Sequence, residues 1–309
     1  MIRVIMDCDP GHDDAVALML ACRHLDLVGV TTVGGNAGLA NTTRNALVIL
    51  DLVGRPDVPV HAGAGHPLLQ PLHTAAYVHG ESGLAGADLP APSRVATSHD
   101  AVGFLVDTIR TEEGLWLVVT GPMTNVALAL RAAPDLAARI AGITFMGGGM
   151  SFGNRTSVAE FNIWVDPEAA AIVVDSRVPL IMSGLDVTHR FQASEARIAR
   201  LRANGNRTSA LFADLLTEYS RAYRTLWKDF EGAAVHDPVA VLALTHPHLL
   251  TTRLGHLAIE TTGTHTRGMT VVDQRGMINP AADPNARIVL DIDAEAAFDL
   301  IIEAAAAAG

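Results

Sequence analysis

Short β-branched runs alternate with helical patterns almost from end to end of this chain, and that alternation limits its fold more than any other feature. Strand patterns stand at 3–6, 27–33, 58–62, 115–120, 140–146, 178–182 and 288–292. Helical patterns run from 13 to about 24, over 42–53, 100–112 and 125–131, from 167, over 194–203 and 209–227, from 238, and over 294–308. The runs 257–260 and 269–272 read as paired strands. Such a pattern predicts an α/β fold: an open, mostly parallel but mixed twisted sheet with helices on both faces. Hydrophobic residues make up 49% of the 309, with mean hydropathy +0.27, enough to fill a large core. No linker, composition shift or internal repeat divides the chain, so 1–309 reads as a single domain. The stretch 67–98, rich in Gly, Pro, His and Ala, reads as irregular, and loops this long inside compact domains are usually functional or disordered. Residues 151–165 read as a second loop.

A net charge of −11 and a pI near 5.5 argue against a nucleic-acid partner. Two cysteines, Cys8 and Cys22, give no disulfide framework and fit a reducing compartment. The chain enters a strand within three residues and carries no apolar run suited to a membrane span. The expectation is a cytoplasmic protein with no membrane association.

The first strand ends in an acidic cluster: Asp7-Cys8-Asp9-Pro10-Gly11-His12-Asp13-Asp14. Asp13 and Asp14 open a helix, where the dipole favours carboxylates. Four carboxylates within eight residues nevertheless repel one another unless a cation sits among them. Hard oxygen ligands suit Ca²⁺ or Mg²⁺ better than zinc. Their place, at the carboxyl end of a strand, is where open α/β sheets bind ligands. Polar residues recur at later strand ends: Asn36, Thr124, Asn125, Asn154, Glu160, Asn162, His236 and Asp237. Singly, each has a plainer role, as turn residue, helix cap or loop charge. Together they could converge along one edge of the sheet.

In these motifs the chain resembles the nucleoside hydrolases of the inosine-uridine-preferring type, over essentially its whole length. The Asp7–Asp14 signature carries the resemblance, and Gly121-Pro-Met-Thr-Asn125, Met146-Gly-Gly-Gly149, Ala159-Glu-Phe-Asn162 and His236-Asp237-Pro238 follow in the family's order. The resemblance implies a Rossmann-like nucleoside hydrolase fold and hydrolysis of ribonucleosides to free base and ribose. It implies Ca²⁺ held by the carboxylates of Asp9, Asp14 and Asp237 and the main-chain carbonyl of Thr124. Asp9 would also be the general base toward the metal-bound water. Asp13, Asn36, Asn154, Glu160 and Asn162 would hold the ribose, and Asp7 would support from behind. His236 would protonate the leaving base, having an unperturbed pKa near neutral. His79 would lie near the base, and Tyr223 or Trp227 would stack on it. The purine-specific branch has tryptophan at the place of His236, so pyrimidine-preferring or broad inosine/uridine specificity is expected. A homodimer or homotetramer is the implied assembly.

Two other readings compete. A haloacid-dehalogenase-type Mg²⁺ phosphatase also has Asp-x-Asp after its first strand, with Asp7 as nucleophile. It expects Thr or Val where Gly11 stands, and a late lysine, whereas Lys228 is the only lysine. A nucleoside-binding protein without catalysis would show a gap in the set Asp9, Asp14, Thr124, Asp237 and His236, and none is missing.

Overall fold

Arg3–Cys8 forms strand β1, buried from Val4 onward, and its side chains alternate between two helical layers. Val4, Met6 and Cys8 pack on one face and Ile5 on the other. A computed structural model of the chain describes residues 1–273 and 283–308. The other strands are β2 (Asp26–Thr32), β3 (Val60–Ala62), β4 (Trp116–Val119), β5 (Gly142–Met146) and β6 (Leu180–Ser183). They are followed by β7 (Gln192–Ala193), β8 (Ala233–Ala234), β9 (Leu250–Ile259), β10 (Thr270–Asp273) and β11 (Ala286–Ile292).

Among the described residues, nine strands make one sheet in the order β10-β9-β11-β6-β5-β4-β1-β2-β3. Strands β3 through β11 in that order are parallel, while β9 runs antiparallel to both β11 and β10. The sheet is therefore mixed and mostly parallel, as the alternation predicts. The short antiparallel pair β7–β8 stands apart. One face is covered by the helices His12–His24, Leu39–Leu52, Arg207–Leu226, Pro238–Thr245 and Ala294–Ala307. Ala101–Thr111, Thr124–Ala132 and Pro167–Val174 cover the other. Phe191, Phe212 and Phe298 fill the first layer and Phe145 the second, all fully buried.

From β1 the chain builds outward to β2 and β3 on one side, then crosses to β4, β5 and β6 on the other. That reversal makes the carboxyl ends of β1 and β4 the crevice of the sheet.

Three local expectations are corrected. Residues 151–165 are not all loop: Phe161–Val165 is a short helix. The Glu160 carboxylate caps it by accepting from the Asn162 and Ile163 amides, and so short a helix leaves no periodicity to read. The strand expected at 257–260 is β9, ten residues long. Its first half is polar and partly exposed beyond the core, which hid it. Within 67–98, Ala76–His79 forms one helical turn.

Candidate active site

The crevice between β1 and β4 holds a small cavity of about 50 Å³. Its lining includes Asp13, Asn36, His79, Asn154, Glu160, Asn162, Tyr223, Trp227, His236 and Asp237. Asp9, Asp14 and Thr124 are not on the wall; they are buried behind it.

The acidic cluster is built by the first strand and two helix starts. Asp14, in the first turn of His12–His24, accepts the Gly11 amide at 3.0 Å through Oδ2 and the Thr120 hydroxyl at 2.7 Å through Oδ1. Asp237 precedes Pro238 at the start of its own helix. Carboxylate oxygens of Asp13, Asp14 and Asp237 lie within 4.8 Å of one another. Asp9 adjoins this trio through Asn36. The Asn36 amide donates to Asp9 Oδ2 at 2.6 Å, and its side-chain nitrogen donates to the Asp9 carbonyl and to Asp14 Oδ2. Gly35 is required here: a Cβ would overlap Asp9 Oδ2.

Four buried carboxylates so close are electrostatically costly. Burial pushes Asp13 up to about 8, with the Asp14 charge adding to it. Burial, then neighbouring charge, raises Asp9 and Asp237 far above the usual carboxylate range. Burial also raises Asp14, against its hydrogen bonds. Asp9 Oδ1 is buried without a hydrogen-bond partner. An unpartnered carboxylate oxygen beside three converging carboxylates is a donor set that fits a hard divalent cation. Thr124 begins its helix with its hydroxyl donated to Asp166 at 2.7 Å.

Behind the cluster, Asp7 accepts from Thr31 at 2.6 Å and Asn125 at 2.8 Å, and burial moves its carboxyl up to about 6. On the opposite wall, Glu160 accepts the amides of Asn162 and Gly148 at 2.9 Å and of Ile163 at 3.2 Å. Burial still lifts it to about 7. The Asn162 side chain donates to the carbonyls of Thr120 and Met146, so its own Oδ1 stays free. Asn154 accepts the Phe161 amide at 2.9 Å.

Aromatic residues share the cavity with the acidic cluster. His236 is held at both nitrogens, Nδ1 by the Thr188 hydroxyl at 2.7 Å and Nε2 by the Tyr223 hydroxyl at 2.5 Å. Its backbone amide donates to Asp13 at 3.3 Å, tying it to the acidic cluster. Burial lowers its pKa far below the ordinary value, so the resting ring is neutral. Tyr223 packs on Trp227 at 4.7 Å between centroids and edge-on to Tyr219 at 5.0 Å. His79 stacks on Tyr219 and His12, and burial lowers its pKa too. Sequence reasoning missed Thr188, Thr120, Gly35 and the part played by His12. No local pattern marks them, because their partners are far away in the chain.

This arrangement sets carboxylate and amide oxygens beside a neutral histidine–tyrosine pair in one cavity. It suits a sugar that gains positive charge while an attached ring departs. The inosine-uridine preferring nucleoside hydrolase family matches this chain over residues 4–299. The chain belongs to that family. It is a ribonucleoside hydrolase. The pyrimidine-specific ribonucleoside hydrolase RihA of Salmonella agona (strain SL483) is 45% identical over 98% of this chain and 97% of its own. RihA of Klebsiella pneumoniae is 44% identical over the same shares. Among solved structures, the purine-preferring ribonucleoside hydrolase from Gardnerella vaginalis superposes with TM-score 0.92 at 31% identity, covering 99% of this chain and 98% of that one. The family's fold is the mixed sheet described above. Among the described residues, no helix is long and apolar enough to cross a membrane.

Proposed function

We propose that this nucleoside hydrolase prefers pyrimidine ribonucleosides, and that it works with Ca²⁺ held by Asp9, Asp14, Asp237 and the Thr124 carbonyl. The observation that carries the reading is one cavity faced by both the acidic cluster and the His236–Tyr223 pair. The pyrimidine preference is supported by the name of the RihA relatives and by histidine, not tryptophan, before Asp237.

When bound, the cation would hold the ribose diol and acidify the attacking water. Asp9 is the base that takes the water's proton; its Oδ2 is fixed by Asn36 and its Oδ1 has no protein partner. Asp13, Asn36, Asn154, Glu160 and Asn162 hold the ribose hydroxyls. Their oxygens also stabilise the positive charge that grows on the sugar as the base leaves. The neutral His236 works through its hydrogen bonds: Thr188 donates to Nδ1, Nε2 donates to Tyr223, and the Tyr223 hydroxyl donates to the departing base. Tyr223 and Trp227 give the base an aromatic wall, and His79 contacts it from the side of Tyr219. We read the whole chain as one domain, supported by the sheet that joins nearly all its described strands, and take a cytoplasmic homodimer or homotetramer from the family resemblance.

Purified protein incubated with uridine, cytidine, inosine and adenosine tests this. Base and ribose should appear fastest from uridine and cytidine. Fastest release from inosine or adenosine would overturn the base preference. Phosphate release from a phosphomonoester without base release would overturn the reading altogether.

A further inference from the structure

The long loop 67–98 supplies Tyr77 and His79 to the cavity wall. The turn that follows them is held from behind by the helix Leu39–Leu52. Asn41 and Asn45 stand one turn apart on that helix, so their side chains share a face. Asn41 Nδ2 donates to the Glu81 carbonyl at 2.9 Å, and Asn45 Nδ2 donates to the Ser82 carbonyl at 2.8 Å. Two asparagines thus grip two consecutive carbonyls of the loop. Asn45 is fully buried, and its Nδ2 also donates to the Pro10 carbonyl at 3.0 Å. Pro10 lies between Asp9 and Gly11. A single side-chain nitrogen therefore ties the loop to the acidic signature.

The loop is shaped to take this grip. Gly80 and Gly83 stand at φ +73° and +82°, where a side chain would be strained. A Cβ on Gly83 would also come within 2.9 Å of Asn45 Nδ2 and 3.2 Å of the Pro10 oxygen. The Gly83 amide donates to the Gly80 carbonyl at 3.0 Å, and the Ala85 amide to the His79 carbonyl at 3.2 Å. The turn that Asn45 holds is thus hydrogen-bonded back to His79. A carbonyl only accepts, so both Asn45 contacts need the two hydrogens of its amide nitrogen, and that fixes which way the side chain points. Asn45 Oδ1 is buried without a hydrogen-bond partner, so the residue serves as a donor alone.

We propose that Asn45 is a positioning residue for nucleoside binding: by holding the Ser82 and Pro10 carbonyls together, it sets His79 at a fixed place relative to the acidic signature. Asn45 does not line the cavity and acts only through the loop, and Asn41 supports it one turn away. This rests on His79 contacting the nucleoside, as read above.

Hydrogen exchange followed by mass spectrometry reads the grip without any turnover. Asn45→Leu keeps a similar shape and removes both donors. Residues 76–85 should then exchange at least about tenfold faster, with the helices His12–His24 and Leu39–Leu52 as protected as in the parent. Unchanged exchange over 76–85, or faster exchange throughout, would overturn the proposal. Kinetics on uridine give the second readout. N45L should raise KM about tenfold, with kcat within about threefold, as for the loss of one or two hydrogen bonds. N41L, at a half-buried position that leaves the core intact, should raise KM about threefold. In an H79A background, N45L should add less than about twofold. Unchanged KM in both N45L and N41L, or the same tenfold rise with and without His79, would overturn the proposal. An unchanged KM in H79A itself would sink the reading of His79 as a substrate contact, while the exchange pattern would still decide the grip.

Discussion

Tyr223→Phe removes one oxygen and keeps the ring. The phenyl group retains its contacts with Trp227 and Tyr219, so little packing is lost. What goes is the 2.5 Å hydrogen bond to His236 Nε2. If that bond only braced the histidine, its net worth would be about 1 kcal/mol, or roughly fivefold in rate. If the hydroxyl delivers the proton to the departing base, kcat should fall by about 10²- to 10⁴-fold, the usual share of general acid catalysis. The two magnitudes are far enough apart to tell. The assay compares uridine with a nitrophenyl riboside, whose phenolate leaves without a proton. The variant should lose at least about a hundredfold in kcat on uridine and less than about tenfold on the riboside. Equal losses on both substrates, or a loss on uridine under tenfold, would refute the assignment of Tyr223 as the donor.

Chelator-treated protein should lose thermal stability as pH rises from about 6.5 to 8, above the range in which the buried histidines titrate. Asp13 is pushed up to about 8, Glu160 to about 7, and Asp14 and Asp237 upward as well. The folded state therefore holds protons that the unfolded chain has released, and stability is lost through that window. Added Ca²⁺ should reverse the trend with release of protons, seen by calorimetry in two buffers; a Tm rising with pH in chelator would contradict it. Gly35→Ala should abolish tight cation binding by displacing Asp9, and unchanged affinity by calorimetry would contradict that. Phe298→Ala, buried against Phe191 far from the cavity, should cost about 3–5 kcal/mol in denaturant unfolding with KM for uridine unchanged.

The parallel core of the sheet was legible because strand and helix differ in period, and β1 to β6 are buried on both faces. Asp9, Asp13 and Asp14 were legible for a different reason: they follow one strand within six residues, so the backbone alone brings them together. Asp237 needed the family resemblance, since only the fold carries it to the β1 end. Thr188 was invisible, because it meets His236 across 48 residues and a lone threonine after a strand has no signature. The His12–His79 contact spans 67 residues and was equally hidden. The helix Phe161–Val165 was missed because a single capping carboxylate, not periodicity, makes it.

The central claim is that the acidic cluster holds a divalent cation on which nucleoside cleavage depends. Calcium binding and uridine hydrolysis should be titrated together on one chelator-treated preparation. The account predicts one tightly bound Ca²⁺ per chain, with activity absent before it binds and restored in proportion to its occupancy. Full activity in excess chelator, with no cation retained by the protein, would contradict it.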